Sequence, residues 1–411
     1  MKPTVLLATT SRGFSPARLA MTLASSGCTV DAVCPPRHPI CKTRVVRRTH
    51  DYHGLLPLRS FRRAVAATRP DLIIPCDDTA TLHLHDLYYR ALHSGKAGET
   101  VSALIERSLG SPASFPFVYA RTAFMEMARE ENIRVPLTEV VKHGADLKNC
   151  VSRFGLPVVL KADGTSGGDG VWIASNHEEA ERGFRALAAP PLLARALKRA
   201  VVDQDMTLVW PSLLRHRFVV NAQAWIAGRD ATSAVACWKG VVLASVQFEV
   251  LTKQDAGGPS TVLRRIDNAE ISAAAVKMVK RLALSGLHGF DFMLEAGTDN
   301  AYLIEINPRA TQVGHLTLGP GRDIPAAITA AVSGEAIQAA PMITQNDTIV
   351  LFPQEWLRNP ESPYIRSGYH DIPWGEPEFV RDCIRRRSQQ SSWYARQKWI
   401  QALSGTQRPR S

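Results

Sequence analysis

The chain has 411 residues, carries 49 Lys+Arg against 38 Asp+Glu, and has a formal net charge of +11. Hydrophobic residues make up 45% and charged residues 21%, which excludes a largely disordered chain, and no apolar run approaches the ~18 residues of a membrane span. The segments 42–69 and 381–411 hold eight basic residues and one acid each, so each is +7 and the remainder sums to −3; a uniformly basic binding face is thereby excluded.

From the N-terminus, Val5 to Thr9 is too short an apolar stretch for a secretory signal. Val5-Leu6-Leu7-Ala8 reads as a buried strand, Pro16 to Ser26 as a helix closed by Gly27, and Val30 to Cys34 as a second strand. Asp71 to Pro75 is a third strand, followed by Asp77-Asp78 and a helix to about Leu92. This alternation predicts a parallel sheet. Asp77 and Asp78 lie where open α/β sheets bind ligands, and they could equally cap the helix that follows. His83 and His85 read as an exposed helix face rather than a metal site. A loop from Gly110 to Pro116 ends this lobe.

Arg121 to Asn132 reads as a helix leading into a strand near Val141, and Gly155 to Ala162 with Gly170 to Ala174 as a hairpin around a glycine-rich turn. Strands flank Gly228 (Phe218 to Ile226, Ala231 to Cys237), and Val241 to Val246 is another. Ala269 to Leu284 is a long helix, and strands Gly289 to Glu295 and Ala301 to Asn307 end the lobe. After Pro341 the composition turns to Trp, Pro and Arg. In the tail, Trp393, Tyr394 and Trp399 interleave with Arg396 and Lys398, a pattern open to nucleic acid. The competing reading is an amphipathic helix burying Phe379, Val380, Cys383 and Ile384, and it is preferred because no nucleic-acid motif accompanies the charge. Seven cysteines without a C-x-x-C pair argue against a disulfide framework or zinc site and for a reduced, cytoplasmic protein.

Two motifs carry chemistry. In Lys161-Ala162-Asp163-Gly164-Thr165-Ser166-Gly167-Gly168-Asp169-Gly170, four glycines in seven residues let backbone N–H groups surround a phosphate, and Lys161 supplies charge. The order is not the Walker pattern, and alone it is also compatible with a mobile surface hairpin. In Gly289 to Glu295 and Tyr302 to Arg309, strand alternation lets Asp291, Glu305 and Asn307 converge on one sheet face. Hard oxygen donors so grouped suit Mg²⁺ on nucleotide phosphates, and Arg309 adds a fork for a developing phosphate or carboxylate. Without such partners two buried carboxylates would repel each other.

In this order, glycine loop, then Asp, then Glu-x-Asn-x-Arg, the chain resembles the ATP-grasp superfamily over about Phe117 to Val332. The lobe before it resembles the α/β domain preceding such ligases, especially in the carbamoyl-phosphate-synthase-like and D-alanine–D-alanine-ligase-like branches. The resemblance implies an α/β and α+β protein. Its parts would be a parallel-sheet pre-ATP-grasp domain over 1–115, a two-lobed ATP-grasp domain over 116–340 (small lobe to about 225), and a C-terminal extension over 341–411. It implies ATP held between the lobes with Mg²⁺, two ions by expectation and Mn²⁺ as a substitute. A carboxylate would be activated as an acyl phosphate and attacked by an amine, ammonia or thiol. Partners would be small-molecule carboxylates and amines rather than nucleic acid, with a homodimer left open.

By the same resemblance Lys161 and Arg121 would contact phosphate, and Gly164, Thr165, Ser166, Gly167, Gly168 and Gly170 would form the lid. Gln223, Ala224, Trp225 and Ile226 would border the adenine and Asp230 would hold the ribose, although Glu is commoner than Gln223 and Asp230 in those places. Asp291, Glu305 and Asn307 would bind metal, and Arg309 would act with Lys161 in catalysis. Gln312 and His315 are expected beside the acyl-phosphate pocket, and Arg264 and Arg265 as either a substrate-carboxylate clamp or a solvated pair. A carbamoyl-phosphate-synthase-like reaction on bicarbonate or carbamate shares these motifs. A non-catalytic nucleotide binder would be expected to lack one of them.

Overall fold

The computed structural model describes residues 2–164, 170–193, 209–215, 217–255 and 257–385. It begins with a parallel sheet of β1 (Thr4–Ala8), β2 (Thr29–Cys34), β3 (Val46–Asp51) and β4 (Leu72–Pro75), ordered β3-β2-β1-β4. Leu6, Leu7, Ile73 and Ile74 are fully buried, because a parallel sheet is covered on both faces and cannot afford polar alternation. Helix α1 (Ser15–Ser25) covers one face, and α2 (Pro57–Thr68), α3 (Asp78–Ala91) and α4 (Gly95–Leu109) cover the other.

The basic segment 42–69 contains β3 and α2, two elements that its charges conceal in the sequence. As an edge strand β3 exposes its arginines, which discourages pairing with other chains. Part of the charge is internally matched: Arg47 donates two hydrogen bonds to buried Asp31, at 2.9 and 2.7 Å.

Next come α5 (Arg121–Glu130), α6 (Gly144–Phe154) and α7 (His177–Ala188), with an antiparallel sheet of β5 (Thr138–Val141), β6 (Val158–Ala162), β7 (Val171–Ala174) and β8 (Val220–Ala224). Its order is β5-β8-β6-β7, and α6 and α7 bury its apolar face. The expected hairpin is β6 against β7, with Lys161 opposite Val171.

A seven-stranded sheet forms the rest, ordered β13-β12-β9-β10-β11-β14-β15. Its strands are β9 (Gly228–Trp238), β10 (Val241–Lys253), β11 (Ser260–Arg265), β12 (Gly286–Glu295), β13 (Ala301–Asn307), β14 (Thr348–Leu351) and β15 (Tyr369–Asp371). Helix α8 (Ala269–Arg281) packs with α5 on one face, and α9 (Ile324–Ser333) lies on the other. The strands flanking Gly228 thus belong to different sheets, and the chain crosses between sheets at that glycine. A Cβ there would sit 1.9 Å from the Leu294 carbonyl oxygen, so only glycine allows this approach.

The C-terminal segment returns to this sheet: β14 pairs with β11, and β15 pairs with β14 in parallel. Phe379, Val380 and Cys383, in a helix over 377–385, enter the core that α1, β1 and β2 also fill. Ile384, expected on the same buried face, is 48% exposed; the aromatic and basic residues beyond 385 lie outside the described residues. Among the described residues no helix is long and apolar enough to cross a membrane.

His83 and His85 correct the expectation of an exposed face. His83 Nε2 lies 3.1 Å from the Tyr52 hydroxyl, and the His85 ring stacks on Phe115 at 3.7 Å. Burial lowers His85 to about 3, with the nearby charge of His288 acting the same way, and burial lowers His288 to about 4. Both pKa values lie below that of an unfolded histidine, ~6.5. Unfolding therefore takes up protons, and the stability these neutral rings contribute is complete above about pH 6.5 and falls as pH drops toward 4. Each ring contributes a slope of about 1.4 kcal/mol per pH unit inside that window. The urea midpoint should be clearly lower at pH 5 than at pH 7, and His288→Gln should flatten the difference. Equal midpoints at the two pH values would contradict this account.

Candidate active site

The floor of the site is the β12–β13 pair, where Asp291 and Glu305 stand directly opposite each other. Like charges in that relation destabilise a sheet unless something compensates them. Asp291 Oδ1 accepts from Thr232 Oγ1 and its Oδ2 from Asn307 Nδ2, both at 2.8 Å. Burial, then the charge of Glu305, nevertheless pushes the Asp291 carboxyl up. Burial works against the charged form of Glu305 too, but Arg121 and Lys161, with Arg309 behind them, hold its carboxyl below the ordinary range.

The cations arrive from separate elements. Arg121, in the first turn of α5, has Nη2 3.1 Å from Glu305 and Nη1 3.9 Å from Asp163. Lys161 on β6 is buried, and desolvation followed by the charge of Arg121 lowers it to about 8. Lys161 pairs with Asn221 of β8, and two residues along β8 Gln223 pairs with Val159. Strand alternation puts Lys161, Asn221 and Gln223 on one face.

Asn221 is a site residue the motif reading missed, although its position two before Gln223 puts it on the same face. Its Oδ1 accepts from Thr122 Oγ1 at 2.6 Å, and its Nδ2 donates to Asp163 Oδ1 at 2.8 Å. This chain of contacts joins the start of α5 to the start of the glycine turn. Gln223 is buried and donates to Thr138 Oγ1 at 3.1 Å. Trp225 is exposed and Ile226 half-buried, just past the Ala224 end of β8. Asp230 is half-exposed and pairs with Lys253 at 2.7 Å, and its charge also acts on Lys161. Gly164 takes a left-handed φ of +71°, and Gly170 is buried. Thr165, Ser166, Gly167 and Gly168 lie outside the described residues.

Arg309 closes the back of the site. Its Nε donates to Asp78 and its Nη2 to Asn307 Oδ1, each at 3.0 Å. The N-terminal unit grips this segment at two further points: Thr81 donates to the Pro308 carbonyl, and Ala310 N–H to the Pro75 carbonyl, each at 2.9 Å. Tyr119 donates to the Asp78 carbonyl at 3.1 Å. A cavity of about 30 Å³ lies between Asp78, Tyr119, Arg121, Gly164, Glu305 and Pro308.

The neighbouring aspartates divide the two roles left open for them. Asp77 caps α3 through Ala80 N–H at 2.8 Å and accepts from Thr9 and Thr10 at the end of β1. Asp78 reaches across to Arg309.

One other expectation needs correction, that for His315. His315 does not border the cavity; it is buried against Asp371, which also pairs with Arg18. Gln312 donates to the Ser260 carbonyl and hydroxyl oxygens, at 2.9 and 2.6 Å. Arg265 pairs with Asp347, while Arg264 is half-exposed and 3.9 Å from Glu249. Arg265 is therefore occupied by the protein itself.

For a divalent cation the donor chemistry fits: two crowded carboxylates with an amide beside them are hard oxygen ligands whose repulsion a cation relieves. Among the described residues no group of three His, Cys, Asp or Glu completes a metal site, so further oxygens would come from Asn307, substrate phosphate or water. Asn307 now turns its nitrogen to Asp291 and its oxygen to Arg309; ligation beside Asp291 would need the amide to turn over.

Residues 120–318 match the family model described as carbamoyl-phosphate synthase L chain, ATP binding domain. Among curated proteins none matches the chain by sequence. Carboxyaminoimidazole ribonucleotide synthase from Aspergillus clavatus, solved with ATP, aligns at 15% identity and a TM-score of 0.57 over 82% of this chain and 80% of that one. The biotin carboxylase domain of Hydrogenobacter thermophilus 2-oxoglutarate carboxylase, a dimer solved with MgADP and bicarbonate, aligns at 16% and 0.56 over 83% and 72%. Phosphoribosylglycinamide synthetase from Anaerococcus prevotii aligns at 17% and 0.53 over 81% and 76%. At such identities the structural likeness establishes the fold. Together with the family match and the opposed carboxylates, it places the chain in the ATP-grasp superfamily of ATP-dependent ligases.

Proposed function

We propose that the protein is an ATP-dependent carboxylate–amine ligase acting through an acyl phosphate on an amino acid or small carboxylic acid. The observation that carries this reading is the cluster of Asp291 and Glu305 with Arg121, Lys161 and Arg309, cations drawn from three separate segments. A carboxylate is a poor electrophile because oxide would have to leave. Phosphorylation makes phosphate the leaving group and releases ADP; amine attack then yields the amide.

Phosphoryl transfer needs positioning and charge neutralisation more than a nucleophilic side chain. In this reading Lys161 and Arg121 hold phosphate oxygens, and Arg309, held by Asp78, presents its remaining N–H groups to the transferred group. Gln223, Ala224, Trp225 and Ile226 border the adenine, and Asp230 meets the ribose after parting from Lys253. Gly164 and Gly170 bracket the segment that, by the family resemblance, would exclude water from the acyl phosphate. Asp291, Glu305 and Asn307 would hold Mg²⁺, which when bound neutralises charge between phosphate oxygens; a second ion and replacement by Mn²⁺ belong to the same proposal. Seven free cysteines favour the cytoplasm, and a homodimer is the assembly to test. A second reading, phosphorylation of bicarbonate or carbamate, is favoured by the description of the matching family model.

The test is ADP and phosphate release with pools of carboxylic acids and amines, with bicarbonate as a separate arm and product mass as the readout. Lys161→Ala and Glu305→Ala should each lower turnover by about 10²–10³-fold, and chelation of Mg²⁺ should abolish it. Wild-type turnover in both variants would overturn the proposal. Asp78→Asn should lower kcat by about 10–100-fold through misplacement of Arg309 while ADP affinity stays within about twofold. A parallel loss of ADP affinity would instead make Asp78 a general structural support.

A further inference from the structure

A pair of cysteines outside the site has a geometry that neither the fold nor the proposed reaction uses. Cys34 ends β2 at the carboxyl edge of the parallel sheet, and its backbone is held by Tyr52 N–H donating to its carbonyl at 2.9 Å. Pro35 and Pro36 stop the strand, and Arg37 at φ +61° reverses the chain. His38 Nδ1 then accepts from Ile40 N–H at 3.0 Å, starting a short helical turn over Pro39–Lys42 that is anchored by fully buried Ile40. The result returns Cys41 over Cys34, with the two sulfurs 4.0 Å apart.

The two thiols are inequivalent. Cys34 is buried, whereas Cys41 is exposed to solvent. The hydrogen bond from Cys34 lowers the Cys41 thiol, with help from Thr49 and Lys42 against burial and Asp51; the same bond and burial push Cys34 up. An accessible sulfur with thiolate character, 4.0 Å from a second sulfur, is the arrangement of an attacking and a resolving cysteine.

We infer that Cys34 and Cys41 form a reversible intramolecular disulfide, a modification site for a hydroperoxide oxidant and a thiol reductant. The Cys41 thiolate attacks a peroxide oxygen; the S–O bond forms, the O–O bond breaks, and water or an alcohol leaves after protonation. Cys34 then attacks the Cys41 sulfenic acid, the S–S bond forms as S–O breaks, and the Cys34 proton leaves with the hydroxide as water. With hydrogen peroxide, two thiols and one peroxide give one disulfide and two waters. A low-molecular-weight dithiol returns the two electrons. The bond would fasten the 35–42 loop to the end of β2, and the Pro36 carbonyl in that loop accepts a hydrogen bond from Arg12, in the turn after β1.

The full chain, reduced and freed of reductant, is exposed to near-stoichiometric hydrogen peroxide, alkylated in denaturant, and digested with trypsin. Cleavage after Arg18, Arg37 and Lys42 separates the partners, so the disulfide appears as peptide 19–37 joined to peptide 38–42. With Cys28 of peptide 19–37 alkylated, the joined mass is 2 Da below the sum of the two peptides carrying that one alkyl group; fragmentation places the link on Cys34, and dithiothreitol abolishes it. Cys34→Ser should leave Cys41 as a sulfenic acid captured by dimedone, and Cys41→Ser should leave Cys34 alkylatable after peroxide. The wild-type measurement stands even if a variant fails to fold. Absence of the joined peptide, or Cys41 captured by dimedone in wild type while Cys34 remains alkylatable, would overturn the inference.

Discussion

Two carboxylates forced together across adjacent strands set the terms for everything around them. Asp291 and Glu305 are paired in register on a sheet that supplies only Thr232 and Asn307 as neutral partners. Their repulsion is balanced by Arg121 from α5, Lys161 from β6 and Arg309 from the turn after β13, and Arg309 is steadied by Asp78 of α3. Buried charge of this kind is stable only when every member is matched. The N-terminal unit and the two sheets therefore contribute to one electrostatic arrangement, and a change in any one reaches the others.

The paired aspartates at the head of α3 show how little sequence separates structural from reactive roles. Asp77 has both carboxylate oxygens occupied by the end of β1 and its own helix. Asp78, in the first turn, points instead toward the 307–310 segment, where a helix N-terminus favours its negative charge. Proximity to the strand ends made both candidates for ligand binding; the direction of each side chain decides which one faces the site.

Much of this was legible because apolar period and motif spacing report local structure. The strands carrying Lys161, Asp291 and Glu305 stand where alternation put them, and the convergence of Asp291, Glu305 and Asn307 follows from the pleat. Concealed elements had identifiable causes. In β3 and α2 the arginines mask the pattern: their charges reach solvent or pair with Asp31, while in α2 only Ser60, Phe61, Ala64 and Val65 are buried. His83, His85 and His315 look like surface or pocket residues until a long-range partner is known: Tyr52, Phe115 and Asp371 lie 30 or more positions away in the chain. Asn221 was within reach of strand alternation, since Gln223 already fixed which face of β8 looks toward Lys161. Asp78 and Arg309 are 231 positions apart, and no local pattern announces that pairing.

The return of the chain's last strands to the large sheet bears on the order in which the molecule can be built. β11 is synthesised more than eighty residues before β14, which covers its edge, and β15 follows later still. Until then a growing chain presents β11 as an open edge with nothing to pair it, a state prone to association with other nascent chains. Helix 377–385 adds Phe379 and Cys383 to a core begun by β1, so that core is completed only once this late segment is present. Completion of this sheet and of that core therefore waits for the residues after 348.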